Sequence, residues 1–503
     1  MKVTFVYTDY NPSGYNHNKF NLGIALLSSY LKEAGHQTSL IHISERIAKE
    51  QFIEQIQKHK PDLIAFSSIT NMWPQIKKFT AWVKYLDVPH IHGGAHPTVN
   101  PEEVINTDGV NFLCIGEGEK TLVEFCNCIE ADENPQEIKS LWVKKKNGEI
   151  IRNTIRPLIE NLDELPYLDY EIFNYAELED AKITKRLVVM ASRGCPYQCT
   201  YCCNHFFRTL YPNRKKYVRY KSVDKLINEI KFGLQKYPFL KEVAFFDDTL
   251  SLKKEWFAEF VDKYSREINL PYTCNDRLNQ IDMNIAKGFK ESGCKAIALG
   301  IESGNENIRN EIMKRFMTKQ QIVEGFKILK SFNVETSAFN IVGVPSETID
   351  TMLETVKINA EANPDRFTNA YFYPFKGTTL FDMCEKKGYL TNRNVSSFFE
   401  RSTLNLDTVS QHQIMFIYNY FRCLVKLYKS YMNLSKELST KLTNITDSLL
   451  TSKYFPYRVF NGFYSSVVPL KLFMFYCLRK FPPMYNLFRA IWYIILPKNR
   501  TSI

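Results

Sequence analysis

Short apolar runs of strand length alternate with apolar-periodic helical stretches from the second residue of this 503-residue chain, and that alternation restricts the fold more than any other feature. Residues 2–7 read as a strand, 22–34 as a helix ended by Gly35, and 38–43 as a second strand. Residues 48–58 read as a second helix and 63–68, after Pro61-Asp62, as a third strand. Runs of this kind suit strands covered on both faces. Their regular exchange with helices predicts an α/β fold, a doubly wound parallel sheet that binds ligands at the carboxyl ends of its strands. Those ends carry polar and glycine-rich pieces: 8–14, Ser67 to Thr70, Gly93-Gly94-Ala95-His96-Pro97-Thr98 and Gly116-Glu117-Gly118-Glu119. Glycine pairs there let the backbone approach a large ligand. No G-x-G-x-x-G opens the first helix, so a dinucleotide is not favoured.

The second constraint is the run Ser192-Arg193-Gly194-Cys195-Pro196-Tyr197-Gln198-Cys199-Thr200-Tyr201-Cys202, which follows the strand-like Leu187-Val188-Val189-Met190. Three thiolates spaced C-x-x-x-C-x-x-C suit an iron–sulfur cluster, because a four-iron cluster held by three cysteines keeps one iron open, whereas structural zinc takes four ligands. A zinc site with Cys203 or His205 as the fourth ligand is the rival reading, and zinc motifs more often pair two-residue spacings. Buried cysteines without a ligand are the plainest alternative. The twelve cysteines show no dense, evenly spaced disulfide framework, and a cluster needs a reducing compartment. Residues 1–7 show no charged-then-apolar leader, so the expected location is cytoplasmic.

Strand and helix alternate again from Lys185. Val218-Arg219-Tyr220-Lys221-Ser222 precedes a helix, with Ser222 as a suitable N-cap. Further strands end in Asp247-Asp248-Thr249, in Glu302-Ser303-Gly304, and in Phe339-Asn340-Ile341-Val342-Gly343 ahead of Pro345-Ser346-Glu347-Thr348. A last one is 370–375, before Lys376-Gly377-Thr378. Together with Tyr201 just before the third cysteine, these ordered pieces resemble the radical SAM superfamily. The Gly-Gly-x-His-Pro-Thr and Gly-Glu-Gly-Glu pieces, with Asn21-Leu22-Gly23 opening the first helix, resemble the cobalamin-binding domain that precedes many radical SAM domains.

The resemblance implies a cobalamin-dependent radical SAM enzyme with three cofactors: a [4Fe-4S] cluster on Cys195, Cys199 and Cys202, S-adenosylmethionine on its open iron, and cobalamin on the first domain. It places Ser67, Gly93, Gly94, His96, Thr98 and Glu117 at the cobalamin, although a loop histidine such as His96 is more often a local hydrogen-bonding residue. His90 and His92 read as a strand face. Asn11 stands where cobalamin mutases carry the lower-ligand histidine, so the cobalt is expected to lack a histidine from that loop. By the same resemblance Asp247 or Asp248 lies near the methionine end of S-adenosylmethionine, Glu302 near its ribose, and Ile341 and Val342 near its adenine. Each acidic residue also reads as a turn former or helix cap. Arg193 reads either as a partner of the methionine carboxylate or as a support of the cluster loop.

The expected layout is a cobalamin-binding domain over 1–135, a linker over 136–184 with a hairpin turn at Asn147-Gly148, a partial (β/α) TIM-like radical SAM barrel over 185–400, and a helical C-terminal domain over 401–503. The activity implied is methylation of an unactivated carbon through a 5′-deoxyadenosyl radical and methylcobalamin. Oxidative cyclisation, ring rearrangement and a non-catalytic cobalamin or iron–sulfur sensor remain alternatives. A methylthiotransferase is not favoured, since Cys114, Cys126 and Cys128 lack the arrangement of its extra cluster cysteines.

The expected partners are a small-molecule or lipid substrate and a reductant such as flavodoxin or ferredoxin. The net charge of +11 is spread among acidic residues, so no nucleic acid is expected. After Asp447 the chain has no acidic residue and eight Lys or Arg among aromatics. No stretch there is long enough to span a bilayer. Either a peripheral membrane contact or a helical cap with snorkelling bases fits that tail.

Overall fold

The computed structural model describes residues 1–10, 18–391 and 397–478, with side chains described as far as Val467. The chain forms two compact units, one made of 1–275, 291–295 and 375–382, the other of 276–290, 296–374 and the chain from 383 onward.

The first unit opens with a seven-stranded sheet in the order β2-β1-β3-β4-β5-β6-β7. Its strands are β1 (Lys2–Thr8), β2 (Gln37–Ile43), β3 (Leu63–Ser67), β4 (His90–Gly93), β5 (Phe112–Cys114), β6 (Leu141–Lys144) and β7 (Ile150–Arg152). The first five run parallel, as the alternation of strand and helix predicts. The expected turn at Asn147-Gly148 is present: Lys145 N–H donates to the Glu149 carbonyl at 2.8 Å, and Gly148 takes a φ of 87°. The hairpin is not a free linker, because β6 pairs antiparallel with β5 and so extends the sheet.

Helices pack Phe52, Ile56, Ile76 and Phe79 onto Ile64 and Phe66, and the Phe52 and Phe79 rings stack 4.8 Å apart. Asn21 caps the first helix, Leu22–Glu33, by accepting from the Ile24 N–H at 3.0 Å. The same unit holds a second parallel set in the order β8-β11-β12, comprising β8 (Arg186–Val189), β11 (Glu242–Phe245) and β12 (Tyr272–Asp276). A two-stranded antiparallel ribbon joins β9 (Ser192–Arg193) to β10 (Arg219–Tyr220). Ser222 caps the helix Val223–Lys236 through the Lys225 N–H at 3.1 Å, as its position suggests.

In the second unit β13 (Cys294–Glu302), from Ala296 onward, runs parallel to β14 (Glu335–Val342), and β14 to β15 (Arg366–Tyr371). Three helices follow, Gln411–Met432, Lys436–Thr451 and Tyr457–Leu478, giving the expected helical C-terminal region. Ile414, Phe416, Ile417, Phe421 and Tyr428 recur at helical spacing along the first of these and bury one face against Val342, Met352 and Val356. No helix among the described residues is long and apolar enough to cross a membrane.

Candidate functional site

The cluster loop leaves β9 at Arg193 and passes Gly194, whose φ of 85° lies in the left-handed region. A Cβ at Gly194 would stand 2.5 Å from the Tyr217 carbonyl oxygen, so only glycine fits. Cys199 is buried, and Cys195 and Cys202 are partly buried. Cys202 forms the N-cap of the helix Cys203–Leu210, with its N–H donating to the Cys199 carbonyl at 3.1 Å. Among the described residues no three His, Cys, Asp or Glu side chains converge on one metal ion. A four-iron cluster does not ask for that, since each thiolate takes a separate iron.

Asp247, just past the end of β11, braces this loop. Its carboxylate accepts from the Ala191 N–H at 3.0 Å, from the Ser192 N–H at 2.6 Å and from the Ser192 hydroxyl. Full burial pushes its carboxyl up to about 6 against the pull of those donors. Asp247 is therefore spent on backbone, and its neighbour Asp248 is the one that reaches a cavity. Asp248 keeps an exposed edge, its carboxyl is raised by desolvation, and it accepts from Asn204 Nδ2 at 2.9 Å. Asn204 Oδ1 in turn accepts from the Tyr217 hydroxyl at 3.1 Å.

That cavity, of about 380 Å³, lies at the carboxyl ends of β3, β4 and β5. Ser67, Gly93, Gly94, Thr98 and Glu117 line one side, and Met190, Ser192, Arg193 and Phe207 from around the cluster loop line another. Mostly apolar walls with a few polar groups are what a large organic ligand needs. The glycines form a cradle that a Cβ would fill. At Gly94, with a φ of 100°, it would lie 2.8 Å from the Ser68 carbonyl oxygen; at Gly116, with a φ of 79°, it would lie 2.6 Å from the Tyr211 hydroxyl. Thr98 ties the two glycine loops together, donating to the Gly94 carbonyl at 2.8 Å and accepting from the Gly116 N–H at 3.1 Å. Gly94→Ala should therefore destabilise the unit by about 2 kcal/mol through strain at that φ. It should also lower cobalamin retention, checked by thermal unfolding and by corrin absorbance after desalting.

His96 does not line the cavity. Its ring lies buried 5.0 Å from the Trp73 ring, Nε2 has no hydrogen-bond partner, and desolvation pushes the imidazole down to about 4. His92 is fully buried and stacked on Phe66 at 4.8 Å, while His90 meets the Gly109 carbonyl at 2.5 Å. Asn11 lies outside the described residues.

Four charges close the cavity floor. Glu117 receives Arg193 at 2.9 Å and Arg219 at 2.7 and 3.1 Å, and Arg193 also pairs with Glu119. The Ile159 N–H donates to Glu117 at 3.1 Å. Burial works against the Glu117 charge, yet the two guanidiniums outweigh it and hold the carboxyl below its ordinary value. Arg193 thus supports the loop through protein carboxylates.

In the second unit Glu302 ends β13 with a φ of 65°, uncommon for a residue other than glycine, and its carboxylate faces Arg315 at 3.5 Å. Ile341 and Val342 occupy opposite faces of β14. Val342 is fully buried among Ile349, Met352 and Ile414, whereas Ile341 stays half exposed. Of the two, Ile341 is the one whose side chain reaches the surface. Glu347 is fully buried and accepts from the Gly343 and Val344 N–H groups at 2.8 and 2.9 Å.

Residues 189–358 match the radical SAM superfamily and residues 16–126 the B12-binding domain. The chain is a B12-binding radical SAM protein. Its cofactors are those the two domains bring together: a four-iron cluster with S-adenosylmethionine, and cobalamin. An uncharacterized methyltransferase of Pyrococcus horikoshii is 27% identical over 378 residues, covering 74% of this chain and 80% of that protein. The anaerobic magnesium-protoporphyrin IX monomethyl ester cyclase of Rubrivivax gelatinosus is 24% identical over 401 residues, covering 76% and 69%. Among solved structures, the cobalamin-dependent S-adenosylmethionine radical enzyme OxsB superposes with a TM-score of 0.67 at 15% identity, over 90% of this chain and 71% of that one.

For this B12-binding radical SAM protein, sequence reasoning missed Glu119, Asn204, Tyr217 and Arg219 as site residues. Glu119 and Arg219 stand in pieces already singled out, but nothing in a linear sequence shows that residues about 100 positions apart meet on one carboxylate.

Proposed function

We propose that this protein methylates an unactivated carbon of a small-molecule or lipid substrate. The observation that carries the reading is the cavity walled both by the glycine loops of the B12-binding sheet and by residues beside the cluster cysteines. When bound, the reduced cluster with S-adenosylmethionine supplies a hydrogen-abstracting radical and cobalamin supplies a transferable methyl group. Cys195, Cys199 and Cys202 would hold the cluster, and Gly94, Gly116 and Thr98 would bed the corrin. Arg193, Arg219, Glu117 and Glu119 would hold the cluster loop at the cavity floor, and the apolar wall would exclude water. Glu302 and Ile341 would contact the nucleoside. The reductant would be a flavodoxin or ferredoxin, the setting cytoplasmic, and the basic end of the chain would touch a membrane surface.

The experiment is anaerobic reconstitution with iron, sulfide and hydroxocobalamin, then reduction with S-adenosylmethionine and mass-spectrometric assay of both nucleoside products. S-adenosylhomocysteine together with 5′-deoxyadenosine, from protein holding stoichiometric cobalamin, is the expected result. The resemblance to a cyclase favours one second reading, oxidative cyclisation. It predicts 5′-deoxyadenosine without S-adenosylhomocysteine. Neither nucleoside from fully loaded protein would overturn both.

A further inference from the structure

Ten of the eighteen large apolar side chains that stand exposed among the described residues fall between Leu427 and Phe463. On the helix Lys436–Thr451, Leu438, Ile445 and Leu449 are exposed and Leu442 is half buried, a spacing of four, three and four that puts all four on one stripe. The helix is held from another side. Asp447 accepts from Lys357 Nζ at 2.7 Å and from the Tyr428 hydroxyl at 2.5 Å, and Leu450 is buried in the core. None of the four belongs to the core cluster that takes in Leu450. Tyr454 follows at 81% exposure, and the next helix presents Val459 and Phe463, four residues apart, at 69% and 60%.

The charge along this segment is mostly positive. Lys436, Lys441, Lys453 and Arg458 accompany them, Asp447 is already paired, and Glu437 is the remaining acidic residue between 436 and the end of the chain. An apolar stripe flanked by bases, on a helix too short and too polar to span, matches the requirements for lying in the interface of an anionic bilayer.

We propose that the face formed by Leu438, Ile445 and Leu449, with Tyr454, Val459 and Phe463 beyond it, docks on an anionic lipid surface, its apolar groups entering the interface and its bases meeting lipid phosphates. The inference extends the reading of the basic chain end as a membrane contact and is independent of methyl transfer. It would bring a lipid-borne substrate to the enzyme.

The test is co-sedimentation of the full chain with phosphatidylcholine vesicles containing phosphatidylglycerol, against phosphatidylcholine alone. The comparison adds the variant Leu438→Glu/Ile445→Glu/Leu449→Glu and a tail variant, Arg479→Gln/Lys480→Gln/Arg489→Gln. Binding should require phosphatidylglycerol, weaken with salt, and fall about tenfold or more in the face variant. A single Ile445→Trp reporter should shift its emission to the blue on adding the anionic vesicles. No binding to anionic vesicles would overturn the inference. So would binding lost only in the tail variant, or no emission shift, since either result would assign lipid contact to the chain end alone. A dimer in gel filtration that the face variant dissociates would overturn it in favour of a contact between copies. Unchanged nucleoside production by the face variant in detergent-free buffer separates this outcome from any failure of the catalytic reading.

Discussion

Glu117→Gln should destabilise the first unit by about 3 kcal/mol and strip it of cobalamin, although Gln preserves the shape and the acceptor for the Ile159 N–H. The substitution leaves two guanidiniums facing one carboxylate. Arg193 keeps Glu119, but Arg219, almost fully buried, is left with the Ile159 and Tyr217 carbonyls at 2.7 and 3.3 Å. Carbonyl dipoles do not neutralise a buried charge, which is why breaking one side of such a pair costs more than the pair itself contributes. The lower end of the usual 3–5 kcal/mol range applies because the Glu117 side chain retains 20% exposure toward the cavity, where water screens it. Thermal unfolding and corrin absorbance on the purified variant check both effects. Pairing Glu117→Gln with Arg219→Met removes one charge of each sign. The double variant should therefore lose less than the two singles summed, by about 1–3 kcal/mol. Additive losses would mean that shape, not charge, holds the floor.

The parallel sheet and the cluster loop are readable because both are local patterns. Apolar runs such as Leu63–Ser67 announce strands without help from distant residues, and the spacing of Cys195, Cys199 and Cys202 needs only a short loop. What escapes is pairing across long separations. Arg219 and Glu117 are 102 residues apart, and the Asp247 carboxylate reaches Ser192 across 55. A resemblance also leaves sides open: it sets Ile341 and Val342 together near one ligand, yet adjacent strand residues face opposite ways, and the Val342 side chain lies in the core. His96 shows the same limit. A histidine beside a glycine pair reads either as a cavity residue or, more often, as a local one, and here its ring is turned onto Trp73.

Glu347→Gln should raise stability, and by more as the pH rises. Glu347 has no exposed surface, and burial pushes its carboxyl up to about 8 against the pull of the Val344 and Gly343 N–H groups. Both donors meet the same oxygen, Oε2, while Oε1 has no partner, so the carboxylate form is desolvated on one side with nothing in return. A raised acid pKa means that the folded state binds the proton more tightly than the unfolded state. The side chain therefore costs nothing below the ordinary glutamate value near 4.5, and its penalty grows as pH climbs from there to about 8. Above that the penalty is constant, at about 4–5 kcal/mol for a shift of this size. Gln offers one carbonyl oxygen to both N–H groups and never ionises. Denaturant unfolding at pH 5 should place the two proteins within about 1 kcal/mol of each other. At pH 9 the variant should be the more stable by several kcal/mol, with the wild-type loss concentrated between the two values. The geometry kept is the turn after β14, so the variant should preserve the half-exposed position of Ile341. Equal pH dependence in the two proteins would show that Glu347 meets water or a cation in solution and is not confined as its two hydrogen bonds imply.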